Sequence, residues 1–442
     1  MSSARSKSVE KTFPEGFLWG TATSSHQVEG GNPPNQWTWW EQQPGRIWQG
    51  QKAGLACDWW RHAERDFDLM VELHQNAHRM SLEWSRLEPE EGHFDHEAAA
   101  RYRQMLQGLR DRGIEPVVTL HHFTEPMWFW RRGSWLHPHA LDAFTRYVEY
   151  AAEIFGDLVS YWCTVNEPVI YAYLGYMEGR FPPGEHHPRR TFHVLKHLIY
   201  AHARAYHTLH NHIPHARVGL AKSLFYFEPA RPTSRLDRLV TRGVWYLFNT
   251  LTLDAVTRGR LLPPLGTGWT PHLNLYDSVD FIGVNYYSRR MVKFALSRPK
   301  AFFIHEYMNP KGETTDRTAA GEPYSEIYPE GLYMLLRWAW QRYRKPLIVT
   351  ENGLPDADDD QRPAFIVRHL EQVHRAIREG VDVRGYFHWT LVDNFEWADG
   401  WNLRFGLVAL DPTTQERTIR PSAHVYARIC QDNALPGEEE SP

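Results

Sequence analysis

Pro346-Leu347-Ile348-Val349-Thr350 runs directly into Glu351-Asn352-Gly353, and Pro116-Val117-Val118-Thr119-Leu120 runs into His121-His122. Both runs are continuously apolar or β-branched rather than alternating. Strands covered on both faces, as in a parallel sheet, carry that pattern. Working outward, such runs recur at Phe17–Thr23, Ala77–Trp84, Pro116–His122, Tyr161–Asn166, Arg217–Ser223, Asp280–Tyr287, Pro346–Thr350 and Arg384–Leu391. Helical patterns lie between them. The clearest spans about 361–379, where Ile366, Leu370, Val373 and Ile377 share one face. Asp360 is placed to cap it, Pro363 sits in its first turn and Gly380 follows its end. A second, near 330–343, carries Leu332, Leu335, Leu336, Ala339 and Tyr343. Eight strands with interleaved helices predict an α/β fold, a (β/α)8 TIM barrel. A doubly wound open sheet is the alternative. The chain lacks Gly-x-Gly-x-x-Gly at a strand-to-helix turn and Gly-x-x-x-x-Gly-Lys-Ser/Thr, which disfavours a nucleotide-binding version of it.

The 442 residues carry 49 Lys+Arg against 53 Asp+Glu, a formal net charge of −4. That balance excludes a strongly basic nucleic-acid binder and an acidic disordered chain. Aromatic residues reach 14 %, with 19 Trp; such rings fill cores and also pack on the C–H faces of sugars. Cys57, Cys163 and Cys430 form neither a disulfide framework nor a zinc motif and fit a reducing compartment. Met1–Lys11 is polar and lacks the apolar stretch of a signal peptide. No run approaches the roughly 18 apolar residues of a membrane span. These features predict a soluble cytoplasmic protein with no membrane or nucleic-acid partner. No linker divides the chain, so one barrel domain is expected at 12–430, with disordered tails at 1–11 and 431–442.

In a barrel of this kind, chemistry gathers at the C-terminal ends of the strands. Those ends hold His26-Gln27, Arg79, His121-His122, Asn166-Glu167, Asn285-Tyr286-Tyr287, Glu351-Asn352, Trp389 and Asn394-Phe395-Glu396-Trp397. Polar residues that end apolar runs are costly unless they have a use, because buried polar groups need partners. Glu167 and Glu351 stand out: a carboxylate pair across a barrel mouth can act as acid and nucleophile on a glycosidic bond.

These residues sit in motifs that resemble glycoside hydrolase family 1, the β-glucosidase/β-galactosidase family. The resemblance runs from Phe13-Pro14-Glu15-Gly16-Phe17-Leu18-Trp19-Gly20 to Arg420-Pro421-Ser422-Ala423. Between them stand Ser25-His26-Gln27-Val28-Glu29-Gly30, Thr164-Val165-Asn166-Glu167-Pro168, Val349-Thr350-Glu351-Asn352-Gly353 and Asp393-Asn394-Phe395-Glu396-Trp397. The resemblance implies a retaining exo-acting β-glycosidase: a β-glucosidase, also active on β-galactosides and β-fucosides. It needs no cofactor and no metal. Glu167 matches the general acid/base and Glu351 the nucleophile. Arg79, Tyr287 and Asn285 match the nucleophile's neighbours. Gln27, His122, Asn166, Glu396 and Trp397 match sugar-binding positions, with Trp389 as platform. Glu396 stands where relatives acting on 6-phosphorylated sugars differ, so a non-phosphorylated sugar is expected. A catalytically weak sugar-binding barrel is the alternative; it predicts loss of one carboxylate, and both are present.

The chain departs from the family pattern at His122-Phe123-Thr124-Glu125-Pro126, at His26 and at Trp401. Residues beyond the sugar are expected on loops at 169–187, 225–245 and 290–330, where Tyr171, Tyr173, Phe225, Tyr226 and Trp245 favour an aryl or apolar leaving group. His193 and His197 stand four apart on a predicted helix without the Glu of a zinc hydrolase, and read as packing residues. Asp356–Asp360 reads as a solvated loop and helix start.

Overall fold

The computed structural model describes residues 11–269, 274–298 and 301–437. Eight strands close a parallel barrel: β1 (Leu18–Ala22), β2 (Ala77–Ser81), β3 (Glu115–His121), β4 (Tyr161–Asn166), β5 (Arg217–Ser223), β6 (Phe281–Tyr286), β7 (Leu347–Asn352) and β8 (Val383–His388). Each strand pairs with its neighbour in sequence, and β8 returns to β1. All eight lie within a few residues of the apolar runs.

The continuous apolar runs have a direct cause. In β7, Leu347 and Val349 face the surrounding helices, while Ile348 joins a small interior cluster with Ala22, Ala77, Val117, Cys163, Phe281 and Phe387. Both faces of each strand are therefore buried. β5 contributes Gly219 to this lining; a Cβ there would sit 2.4 Å from the Phe281 carbonyl oxygen and 2.8 Å from its ring.

The predicted helices fall at Pro329–Tyr343 and Arg362–Arg378. Asp360 does not cap the latter. The Asp356 carboxylate, reaching across the turn, accepts from Gln361 N at 3.1 Å and Arg362 N at 2.8 Å. The expected C-terminal tail also starts too early. The helix Pro421–Asp432 ends at Asn433, whose backbone is left-handed, and the chain folds back on the start of the barrel. Phe13 N donates to Asn433 O at 2.9 Å and Leu435 N to Lys11 O at 3.1 Å. Residues 1–10 and 438–442 of the expected tails lie outside the described residues.

One expected loop region is structured. Strands Tyr226–Pro229, Arg289–Phe294 and Ile304–Tyr307 form a three-stranded sheet beside the barrel mouth. Alternating polar and apolar residues in short strands gave too weak a signal to separate it from loop. Among the described residues no helix is long and apolar enough to cross a membrane.

Candidate active site

The C-terminal ends of the strands open into a cavity of about 930 Å³, lined by His122, Asn166, Glu167, Tyr287, Glu351, Trp389, Glu396 and Trp397. Gln27, Arg79 and Asn285 stand one layer behind, each bonded to a lining residue. All eleven predicted site residues thus meet in one place.

Backbone irregularities aim the two carboxylates. The register of β4 against β5 shifts between Cys163 and Asn166, just before Glu167. Glu167 itself adopts φ 44° and precedes Pro168, the first residue of the helix Pro168–Tyr173. The register of β7 against β6 shifts between Val349 and Glu351. Irregularities of this kind re-aim side chains and cluster beside active sites.

Arg79 organises the floor. Its Nη1 donates to Glu351 Oε1 at 2.5 Å, its Nη2 to Asn166 Oδ1 at 2.7 Å and its Nε to Thr119 Oγ1 at 3.1 Å. Tyr287 donates its hydroxyl to Glu351 Oε2 at 2.8 Å. Both Glu351 oxygens therefore accept, one from a cation, as a carboxylate does. Because Asn166 Oδ1 accepts from Arg79, its amide NH2 is turned to donate to His122 Nε2 at 3.0 Å. Burial pushes His122 well below the usual histidine range, so the ring is neutral.

Glu167 has the opposite surroundings. Its Oε1 accepts from Asn285 Nδ2 at 3.0 Å, and Thr350 Oγ1 holds Asn285 Oδ1 at 2.6 Å to set that orientation. Burial, and then the charge of Glu351, push the Glu167 carboxyl up to about 8. The two carboxyl groups thus have different surroundings: Glu351 accepts on both oxygens, while burial and the neighbouring charge hold Glu167 protonated near neutrality.

The far wall holds Gln27, whose Nε2 donates to Asn394 Oδ1 at 3.0 Å, to Phe395 O at 2.9 Å and to Glu396 Oε2 at 3.2 Å. Burial, then Asp399 and Glu351, push Glu396 up to about 8. Trp389 and Trp397 lie 5.9 Å and 6.3 Å from the His122 ring in near-stacked pose. The departure at His26 is compensated: its Nε2 meets Glu41 Oε1 at 2.7 Å and its ring stacks on Trp397 at 5.7 Å.

A family model, Glycosyl hydrolase family 1, matches residues 9–435. The chain belongs to this family. Beta-glucosidase A of Thermotoga maritima is 33 % identical to this family 1 chain across 96 % of it and 99 % of the relative. A Beta-galactosidase of Sulfolobus acidocaldarius is 33 % identical across 97 % of each. Among solved structures, a beta-glycosidase from Pyrococcus horikoshii superposes with TM-score 0.88 at 40 % identity over 97 % of each chain. The Thermotoga maritima beta-glucosidase bound to glucoimidazole superposes with TM-score 0.87 at 32 % identity, over 96 % of this chain and 100 % of that one.

Sequence reasoning missed several members of this family 1 site. Lys222 is fully buried beside the site, its ammonium 4.7 Å from the Phe248 ring and bonded to Ser223 O. Burial lowers it to about 7, against an upward pull from Glu167. A lysine inside an apolar strand run was the available signal. Thr119 and Thr350 looked like ordinary β-branched strand residues. Of the five aromatics assigned to the leaving-group side, Tyr173 and Phe225 line the cavity. Tyr171 is instead buried behind it against Glu125, Tyr226 stacks on Tyr328, and Trp245 packs on Trp338. His193 and His197 pack ring to ring at 4.4 Å, away from the cavity. Among the described residues the one acidic group able to share a cation is Asp356, Asp358 and Asp360, and Asp356 is committed to its helix.

Proposed function

We propose that this family 1 glycoside hydrolase cleaves terminal, non-phosphorylated β-D-glycosides, glucosides first, by double displacement. The observation that carries the reading is the pairing of Glu351, bonded on both oxygens by Arg79 and Tyr287, with Glu167, whose carboxyl is pushed up to about 8 by burial and by Glu351. Glu351 attacks the anomeric carbon while Glu167 gives its proton to the departing oxygen. The product is a glycosyl ester on Glu351, and its formation removes the charge that raised Glu167. Glu167, left as a carboxylate, therefore stays ionised and takes a proton from water, which attacks the same carbon, restores Glu351 and returns Glu167 to its acid form. Configuration is retained through two inversions.

Gln27, His122, Asn166, Glu396 and Trp397 hold the sugar, and Trp389 forms its platform. Asn166 reaches towards the 2-hydroxyl, where a hydrogen bond strengthens as charge develops. Glu396 stands beside Asp399, and Arg180 pairs with that acid. Two acidic side chains standing together there disfavour a phosphate, which supports a non-phosphorylated glycone. The curated relatives named for glucosides and galactosides support activity on both, and β-fucosides extend the same reading. Three free, buried cysteines fit a reducing, cytoplasmic setting.

The test is hydrolysis of 4-nitrophenyl β-glucoside by the wild type and by Glu351→Gln. Activity in the wild type that disappears in the variant is expected. Equal activity in both overturns the assignment of Glu351. A folded wild type that binds glucose analogues without hydrolysing any β-glycoside favours the sugar-binding alternative.

A further inference from the structure

The three-stranded sheet at the barrel mouth is covered by the helix Arg235–Trp245, which packs Val240 and Val244 against Phe227, Val292 and Ile304. The helix's other side is unusual. Leu236 and Leu239, one turn apart, are 51 % and 63 % exposed, and Arg235, Arg238 and Arg242 are exposed beside them. Asp237 ties the first turn of this helix to the end of the adjacent strand by accepting from Phe294 N at 3.1 Å. Immediately beyond, Ala295 N donates to Phe303 O at 2.8 Å, and Leu296, Arg298 and Phe302 are exposed. Leu296 is 76 % and Phe302 64 % exposed.

Charge follows the same surface. Arg235, Arg238, Arg242 and Arg298 form no ion pair among the described residues. The one acid of the helix, Asp237, is buried and paired with Arg231. From Arg289 to His305 the sequence holds no Asp or Glu, although the whole chain carries net charge −4. Exposed Leu and Phe interleaved with unpaired Arg is the chemistry of an element that lies in the interface of an anionic membrane. A nucleic acid would use the cations and leave the apolar residues without a role.

We infer that this surface seats the protein on an anionic lipid bilayer as a peripheral contact. The expectation of no membrane partner rested on the lack of a spanning segment, and a peripheral contact needs none. The cytoplasmic leaflet supplies the negative surface. Phe227, Arg290 and Glu306 of the same sheet line the active-site cavity, so the bound lipid lies beside its mouth.

The experiment is sedimentation of the full chain with vesicles of phosphatidylcholine mixed with phosphatidylglycerol, against pure phosphatidylcholine, at low and high salt. Binding to the mixed vesicles that weakens with salt is expected, because screening shortens the reach of exposed charges. The triple variant R235E/R238E/R242E lowers the partition coefficient about a hundredfold or more, from about fivefold per cation removed. Leu239→Ser with Phe302→Ser lowers it at constant charge. All variants hydrolyse a water-soluble aryl glycoside like the wild type, which reports their fold. Equal partition on neutral and anionic vesicles, or partition unchanged in both variants, overturns the proposal. So does absence of vesicle binding together with a variant-sensitive dimer in light scattering, which assigns the surface to a second copy. Variant-sensitive binding of duplex DNA without vesicle binding overturns it in favour of a nucleic acid.

Discussion

Arg79 Nη1 lies 2.5 Å from Glu351 Oε1, with both side chains almost sealed from water. The same guanidinium reaches Asn166 Oδ1 and Thr119 Oγ1, so one side chain on β2 connects β3, β4 and β7. Replacing one partner of a buried pair strands the other. Arg79→Met is therefore expected to cost about 3–5 kcal/mol of stability and to cut kcat/KM sharply. Thermal unfolding and initial rates at a temperature where the variant is folded separate the two effects. A variant as stable and active as the wild type would remove Arg79 from the account.

Glu167 carries a pH signature in rate and in stability. Its protonated form is the one that donates, so kcat/KM falls on the alkaline side as the group titrates near 8. Glu167→Gln loses about 10²–10⁴-fold on poor leaving groups, loses far less where the leaving group needs no proton, and has no alkaline limb. Stability follows by linkage. The folded value lies above the ordinary 4.5, so between 4.5 and about 8 the folded protein holds a proton the unfolded chain has released. Stability then falls as pH rises through that window. Glu167→Gln is expected to melt higher than the wild type at pH 8, with the gap closing towards pH 4.5.

Lys222 offers a separable test of the same electrostatics. Its ammonium opposes the rise in Glu167. Lys222→Met should move the alkaline limb of the rate profile to higher pH while leaving activity near neutrality largely intact. An unmoved limb would mean that Lys222 is uncharged throughout.

Glu396 and Gln27 share a hydrogen bond at 3.2 Å on the far wall. With its carboxyl pushed up to about 8, Glu396 is protonated near neutrality, and losing a neutral hydrogen bond costs about 0.5–1.5 kcal/mol, or about 2–10-fold in binding. Glu396→Gln is expected to lower kcat/KM on glucosides by that factor, with no gain on 6-phospho-glucosides. Steady-state rates on both substrates decide it; equal rates on the phosphorylated sugar in the wild type would overturn the glycone assignment.

The eight strands were legible because a parallel barrel buries both faces of every strand, and burial on both faces writes a continuous apolar run such as 346–350. The candidate site was legible because its polar side chains interrupt those runs at one end. Asp360 misled because a cap is chosen by reach, and Asp356 reaches the helix start across a turn. The sheet formed by 226–229, 289–294 and 304–307 was read as loop because its strands are short and its pairing joins segments about sixty residues apart.

What the chain determines by local pattern alone is the barrel, the order of its strands and the set of polar residues at their C-terminal ends. Proximity was not written there. That Asn285 holds Glu167, that Arg79 grips Glu351 and Asn166 together, and that a buried Lys222 stands behind the acid were decided only by closure of the barrel. Those contacts join residues far apart in sequence, and the shifts they impose on Glu167 come from burial and from neighbouring charge, which exist only once the strands have met.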